Sequence, residues 1–289
     1  MKLIKPSYEI WEQPAGLEGI YKQIEKAGRV CYKSEDKITE DSAKGFVDRM
    51  IKSGHGAMLE HGTVYLKVTN KGLSLDNYDK NQVENKYISN PYSKVIFGKY
   101  PKYNSYEEKL EATQEVYITT NYRVLVENGW LDDLQYICEP TEHHEKRVCV
   151  RYTSDIHFYK DCTRHRVFSW AIESTRFCNY IKQKFGSSVS FATPIWLKNE
   201  EQEEFEEDLK TIESIYFKWI NKGWQPQQAA YFLIQGTKAE IIMTGFISDY
   251  EHFFDLRSEI AKTGQPHPTV VELVEPLRQE FIKRSYINN

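Results

Sequence analysis

The sequence contains no CxxC pair, and its five cysteines (Cys31, Cys138, Cys149, Cys162 and Cys178) are an odd number scattered along the chain. That pattern excludes a disulfide-framework scaffold and a zinc ribbon. Cys138 with His143 and His144 also lacks ligand-pair spacing, so no metal site is expected. Nor is there an excess of positive charge, because 38 Lys and Arg against 42 Asp and Glu give a formal charge of −4. A protein that binds a nucleic acid polymer by bulk electrostatics is not expected, and any anionic ligand needs a local basic pocket. The opening "MKLIKPSYEIWEQ" lacks the apolar core of a signal peptide, and no apolar run approaches a membrane span. A chain in the reducing cytoplasm, away from membranes, fits these absences. Repeats, low-complexity tracts and a GxGxxG turn are missing as well.

What is present is an ordinary globular composition, with 289 residues, 40% hydrophobic and 28% charged. That is enough chain for one large domain or two smaller ones with a real core. Aromatic residues reach 14%, with 20 tyrosines, which suits either a Tyr-rich core and interface or stacking on ring-shaped ligands. Leu17, Ile20, Tyr21, Ile24 and Ala27 recur on one helical face, with Gly28 as the expected stop. In "TEDSAKGFVDRMIKSGHG", Thr39 is placed to cap a helix whose apolar stripe is Phe46, Val47, Met50 and Ile51, and Gly54 closes it. "TVYLKVT" alternates as a strand should. Residues of about 70–147 are polar and turn-rich at first, then helical over "EEKLEATQEVYITTNYRVLVENG". They form an insertion into a single domain. "RVCVRYT" then returns as a strand to the main sheet.

Further on, Phe205, Leu209, Ile212, Tyr216 and Trp219 mark a clear helix whose acidic start reads as a solvated face. One or two helices are predicted over "QPQQAAYFLIQGTKAEIIMTGFISDYEHFFDLR". The last amphipathic helix carries Pro276 in mid-pattern, where a kink or split is expected. Helices with few strands and no βαβ rhythm argue for an α+β fold, a mixed or antiparallel sheet flanked by helices.

Three stretches concentrate chemistry. "RHRVFSWAIESTR" threads Arg164, His165, Arg166, Ser174, Thr175 and Arg176 among residues suited to burial. Guanidinium forks match phosphate and the O2–N3–O4 edge of a pyrimidine, and hydroxyls with backbone amides donate to phosphate. A solvated arginine-rich face has the same composition. "SGHGAMLEH" sets His55 between glycines that permit close approach of a ligand, or simply a capped helix end with a hydrogen-bonded histidine. In "DYEHFFDLR", His252 and Arg257 are five residues apart and should not share a helix face. Arg257 is then free either for a structural ion pair or for work across an interface.

Taken together, these stretches resemble the flavin-dependent thymidylate synthases, the thymidylate synthase complementing protein family. "RHRVFSWAIES" is similar to its hallmark of RHR, seven residues and a serine. "GHGAMLEH" is similar to its Gly-His segment ahead of Glu-His, and "HFFDLR" to its closing His/Asn-Phe…Leu-Arg segment. The order agrees across most of residues 15–70 and 148–283, while the 70–147 excursion is longer than compact members carry.

The resemblance implies an FAD enzyme that methylates dUMP to dTMP, with 5,10-methylenetetrahydrofolate as carbon donor and NADPH as reductant. It also implies a homotetramer with shared active sites. By position, His55, Arg164, His165, Arg166 and His252 are assigned to FAD. Asp161, Arg164, Ser174, Thr175, Arg176 and Arg257 are assigned to dUMP, with Arg257 polarising the uracil as the catalytic residue. No cysteine nucleophile is needed when cofactors carry hydride and carbon.

Three places depart from the family pattern. Ile172 stands where Glu or Gln is usual, Ala230 or Tyr231 where an arginine is usual, and Phe246 and Ser248 where an Asn/Arg pair is frequent. They leave room for another C5 modification, such as hydroxymethylation, or for a non-catalytic nucleotide-binding protein.

Overall fold

The computed structural model describes residues 1–71, 83–99, 105, 113–174, 180 and 188–288. Among these the strands are β1 (Lys2–Ile4), β2 (Ser7–Trp11), β3 (Thr63–Lys71), β4 (Lys94–Phe97), β5 (Thr113–Asn121), β6 (Arg147–Asp155), β7 (Ser169–Ile172), β8 (Ser190–Ala192) and β9 (Lys238–Phe246). The helices are α1 (Gly16–Tyr32), α2 (Ser42–Ser53), α3 (Gly56–Leu59), α4 (Val83–Ile88), α5 (Tyr122–Asn128), α6 (Ile156–Cys162), α7 (Gln202–Asn221), α8 (Pro226–Ala229), α9 (Ile247–Arg257) and α10 (Pro268–Lys283). The pairs β2–β6, β3–β5, β4–β5 and β7–β9 are antiparallel and β1–β8 is parallel, so the fold is α+β as expected. The chain divides into two compact units.

The first unit comprises Met1–Trp11, Ala27–Lys37 and Val148–Asn289. Its sheet has the order β2-β6-β9-β7, and a separate pair joins β1 to β8 in parallel. Strand β9 is buried along nearly its whole length. Ala239, Ile241 and Met243 meet Val150 and Tyr152 of β6, Tyr250 and Phe253 of α9, and Leu273 and Leu277 of α10 in one core. A strand covered on both faces loses the apolar–polar alternation that identifies strands in a sequence. That is why the helical expectation over residues 225–257 needs correction: β9 lies between the short α8 and α9.

Helix α10 runs unbroken through Pro276. Leu273, Val274, Leu277 and Phe281 lie on both sides of the proline and share one core, which holds the helix together across the missing N–H. The Pro276 carbonyl accepts a hydrogen bond from the Tyr8 hydroxyl at 3.1 Å. Helix α1 likewise passes the expected stop at Gly28 and ends at Tyr32, because Ala27 and Val30 continue the buried face.

Gly245 illustrates how tightly β9 is packed. A Cβ there would stand 2.3 Å from Phe168 Cδ1. Gly245→Ala should therefore destabilise the protein by about 1–3 kcal/mol through overpacking. Chemical denaturation measures this, and an unchanged midpoint would mean that Phe168 yields at no cost.

The second unit comprises Glu12–Lys26 and Ile38–Arg147. Its sheet has the order β3-β5-β4, with Thr63 opposite Asn121 and Lys71 opposite Thr113. Val64, Leu66 and Val68 are buried, as their alternation predicts. The helix expected over 107–129 is corrected here. Residues 113–121 form β5, and among the described residues of that stretch only Tyr122–Asn128 is helical, capped by Asn121 and closed by Gly129 at φ 70°. The β-branched run Thr113, Val116, Ile118, Thr119 and Thr120 favours the pleated strand. Helix α2 closes at Gly54 with φ 71°, as read from the sequence, but Asp41 rather than Thr39 holds the N-cap position. Residues 72–82 and most of 100–112 of the expected insertion lie outside the described residues.

Candidate functional site

Helix α6 ends at Cys162 and β7 begins at Ser169, so Arg164–Phe168 must turn between them. Successive backbone bonds close this turn, from the His165 N–H to Cys162 at 3.1 Å and from the Phe168 N–H to His165 at 3.4 Å. The turn sorts the side chains. His165 and Phe168 are buried, whereas Arg164, Arg166 and Val167 are exposed. Phe168 packs edge-on against Tyr250 and Phe253, and the Trp170 indole N–H donates to the His165 carbonyl at 3.3 Å. No ion pair among the described residues engages Arg164 or Arg166.

Arg257, at the end of α9, reaches back to this turn. Its Nε donates to His165 Nε2 at 3.0 Å, and its Nη2 donates to the Asp161 carbonyl at 3.1 Å. The His252 ring lies 6.2 Å from the His165 ring, centre to centre, so both α9 residues meet at one imidazole. Arg257 can only donate, which makes His165 Nε2 an acceptor and the imidazole neutral, with its proton on Nδ1. Burial, then the Arg257 guanidinium and His252, push His165 down to about 4.

The sign of the linkage follows. An unfolded histidine takes up its proton near 6.5, before the folded one does. Its contribution to stability is complete above about pH 6.5 and is lost as pH falls toward about 4. In an NMR titration the His165 ring resonances should stay flat from about pH 7 to about pH 5. A midpoint near the ordinary histidine value would contradict this geometry.

Ser174 follows the other end of β7. Its N–H donates to the Cys31 carbonyl at 3.3 Å, and the Cys31 thiol donates to the Ile172 carbonyl at 2.9 Å. Ile172 packs against the core of the first unit and pairs with Ile241 of β9. Glu173 is buried between them, and its N–H donates to the Glu240 carbonyl at 2.8 Å. Here lies a cluster the sequence reading missed. Glu240 receives Lys33 at 2.6 Å, Lys238 at 2.5 Å and Arg151 at 2.6 Å, while Lys238 also reaches Glu173 at 2.8 Å. Burial alone would raise the Glu240 carboxyl, but Lys238 and Lys33 outweigh it and hold it down at about 2. The same carboxylates keep Lys33 above the ordinary lysine range despite burial. Only the alternation of Lys238 and Glu240 on one strand face could have signalled this, and that required seeing β9 as a strand.

The first unit thus holds Asp161, Arg164, His165, Arg166, Ser174, His252 and Arg257, and joins Asp161, His165, His252 and Arg257 directly. Asp161 takes part through its backbone carbonyl. His55 belongs to the second unit, exposed at the start of α3. Thr175 and Arg176 lie outside the described residues. Of the departures from the family pattern, Phe246 is buried, Tyr231 is 86% exposed, and Ile172 is half-buried.

A family model described as thymidylate synthase complementing protein matches residues 94–268, more than half of the chain. The chain belongs to this family. Two curated relatives carry the name flavin-dependent thymidylate synthase. One, from Corynebacterium aurimucosum, is 27% identical over 111 residues, covering 35% of this chain and 43% of that protein. The other, from Pyrococcus furiosus, is 28% identical over 96 residues, covering 32% of this chain and 38% of that protein. The matched stretch therefore spans less than half the length of either relative. Among solved structures, the UMP/dUMP methylase PolB from Streptomyces cacaoi, bound with 5-Br dUMP, aligns at a TM-score of 0.43 and 13% identity. That alignment covers 98% of this chain and 93% of the other, and at that score it supports no argument. Among the described residues no helix is long and apolar enough to cross a membrane.

Proposed function

We propose that this thymidylate synthase complementing family member is a flavin-dependent thymidylate synthase. It would convert dUMP to dTMP with 5,10-methylenetetrahydrofolate as carbon donor, FAD as cofactor and NADPH as reductant. The observation that carries the reading is Arg257, a permanent cation fixed by a neutral histidine and a backbone carbonyl, with no carboxylate among the described residues paired to it. Methylation at C5 needs electron density on that carbon. A preorganised guanidinium at the uracil carbonyl and N3 stabilises the enolate-like charge as it develops.

The donor set suits FAD. Two exposed guanidiniums, Arg164 and Arg166, project from one turn with no ion-pair partner among the described residues, which matches a diphosphate. His252 would add to the cofactor contacts. His165 keeps only Nδ1 for the cofactor, because Nε2 is engaged by Arg257. Bound and reduced, the flavin supplies the hydride. Ser174, Thr175 and Arg176 would hold the dUMP phosphate and sugar, with Asp161 and Arg164 beside them. The clamp of Cys31 and Glu240 on Ile172–Ser174 keeps Ser174 in register with β7. A homotetramer in the cytoplasm is part of the same reading, and light scattering tests the assembly.

Purified protein incubated with FAD, dUMP, methylenetetrahydrofolate and NADPH should yield dTMP by mass spectrometry. No nucleotide product would overturn the reading. A hydroxymethylated product would instead favour the second reading, another C5 modification. Ile172, which places an aliphatic side chain where a polar one is usual, favours that alternative.

A further inference from the structure

The first unit contains a cavity of about 250 Å³ that shares no residue with the proposed nucleotide and flavin set. One end is polar. His157 and His267 stack there with ring centres 3.8 Å apart at 29°, and Asp155 lies beside them, 6% exposed. Phe205, Leu209, Ile234 and Trp196 supply apolar lining. The Trp196 ring stands edge-on to His267 at 5.6 Å and is 53% exposed, a large aromatic surface left open to solvent.

The chemistry of the polar end selects the charge of a ligand. The Asp155 carboxylate accepts the Phe158 N–H at 2.7 Å as the N-cap of α6, and no lysine or arginine among the described residues pairs with it. Burial raises this carboxyl, with the Phe158 N–H offsetting part of the penalty, and only the two histidines add positive charge. Burial and then His157 lower His267, whose Nδ1 accepts the Thr269 N–H at the start of α10. Close by, Glu272 has a buried Oε2 with no hydrogen-bond partner. Burial and the charge of Asp155 raise its carboxyl, against Lys5. His157 Nδ1 is buried without a hydrogen-bond partner too. A cavity lined by one buried carboxyl that has no lysine or arginine partner among the described residues, with aromatic walls, complements a cation carried on a ring, and Glu272 adds negative charge from outside that lining.

We propose that this cavity binds a small aryl-alkylammonium ligand, its ammonium paired with Asp155 and its ring lodged against Trp196 and Phe205. The site is independent of the thymidylate synthase reading, so the test uses binding rather than turnover. Phenethylamine is titrated into the full chain at about pH 8, where the ammonium is charged and ordinary imidazoles are neutral. Its neutral and anionic counterparts, phenethyl alcohol and phenylacetate, are titrated in parallel by calorimetry. Phenethylamine should bind saturably, and the other two should bind at least about tenfold more weakly.

Asp155→Asn keeps a capping oxygen for α6 and should weaken phenethylamine by about tenfold or more. Trp196→Ala truncates an exposed ring, which the fold tolerates, and should weaken it as well. Absence of saturable binding, equal binding of phenylacetate, or affinity unchanged in Trp196→Ala would each overturn the proposal.

Discussion

Arg257→Ala should lower dTMP formation by about 10²–10³-fold or more, the usual cost of removing a preorganised charge donor from a reacting centre. The loss should fall on turnover rather than on folding, because Arg257 is half-buried at a helix end and makes two hydrogen bonds rather than a core contact. Arg257→Lys should fare little better. An ammonium cannot hold His165 Nε2 and the Asp161 carbonyl while presenting a planar edge to a pyrimidine. A second readout separates a chemical role from a structural one. Without the guanidinium, the His165 imidazole loses one of the influences that push it down to about 4, and its NMR titration should move upward. Full turnover in Arg257→Ala would remove the placement of the uracil activator. An unmoved His165 titration would instead remove the coupling between the two residues.

The second large effect concerns stability. Glu240 is the shared partner of Lys33, Lys238 and Arg151, so Glu240→Ala leaves them with Glu173, with Glu35 at 3.4 Å from Lys33 and with Glu9 at 3.9 Å from Arg151. Stranding a buried charge costs about 3–5 kcal/mol, and the side chains here are 15–32% exposed on the cationic side, which reduces this to about 2–4 kcal/mol. Denaturant unfolding measures it, and a loss within experimental error would show that solvent already screens the cluster.

The pH dependence has a fixed sign. The folded carboxyl is depressed to about 2, so its contribution is fully present above the ordinary glutamate value near 4.5. It is lost as pH falls from there toward about 2. In Glu240→Gln that part of the acid sensitivity should disappear. Since Glu173 and Ser174 follow β7 directly, the same variant should raise KM for dUMP more than it lowers kcat.

How much of this was legible in the amino-acid order differs by region. The family pattern was, because Arg164–Arg166, Ser174, His252 and Arg257 fall in short runs of unusual side chains. The α+β class and strand β3 were too, since Val64, Leu66 and Val68 keep one face buried and the next exposed. Strand β9 was not legible, as burial on both faces erases the alternation that distinguishes a strand from a buried helix. Strand β5 was hidden in a stretch whose charged and polar residues mimic a helix surface, although its β-branched residues argue otherwise.

Sequence alone therefore carried the family pattern. Tertiary structure decided which partners His165 and Arg257 have within the first unit. It makes His165 a neutral acceptor for Arg257, although the sequence presents both as positive groups. It draws Lys33, Arg151 and Lys238, far apart in the chain, onto one carboxylate beside Ser174. The reason is physical: a protonation state and an ion pair depend on distance and burial, and neither is written in residue order until the chain has packed.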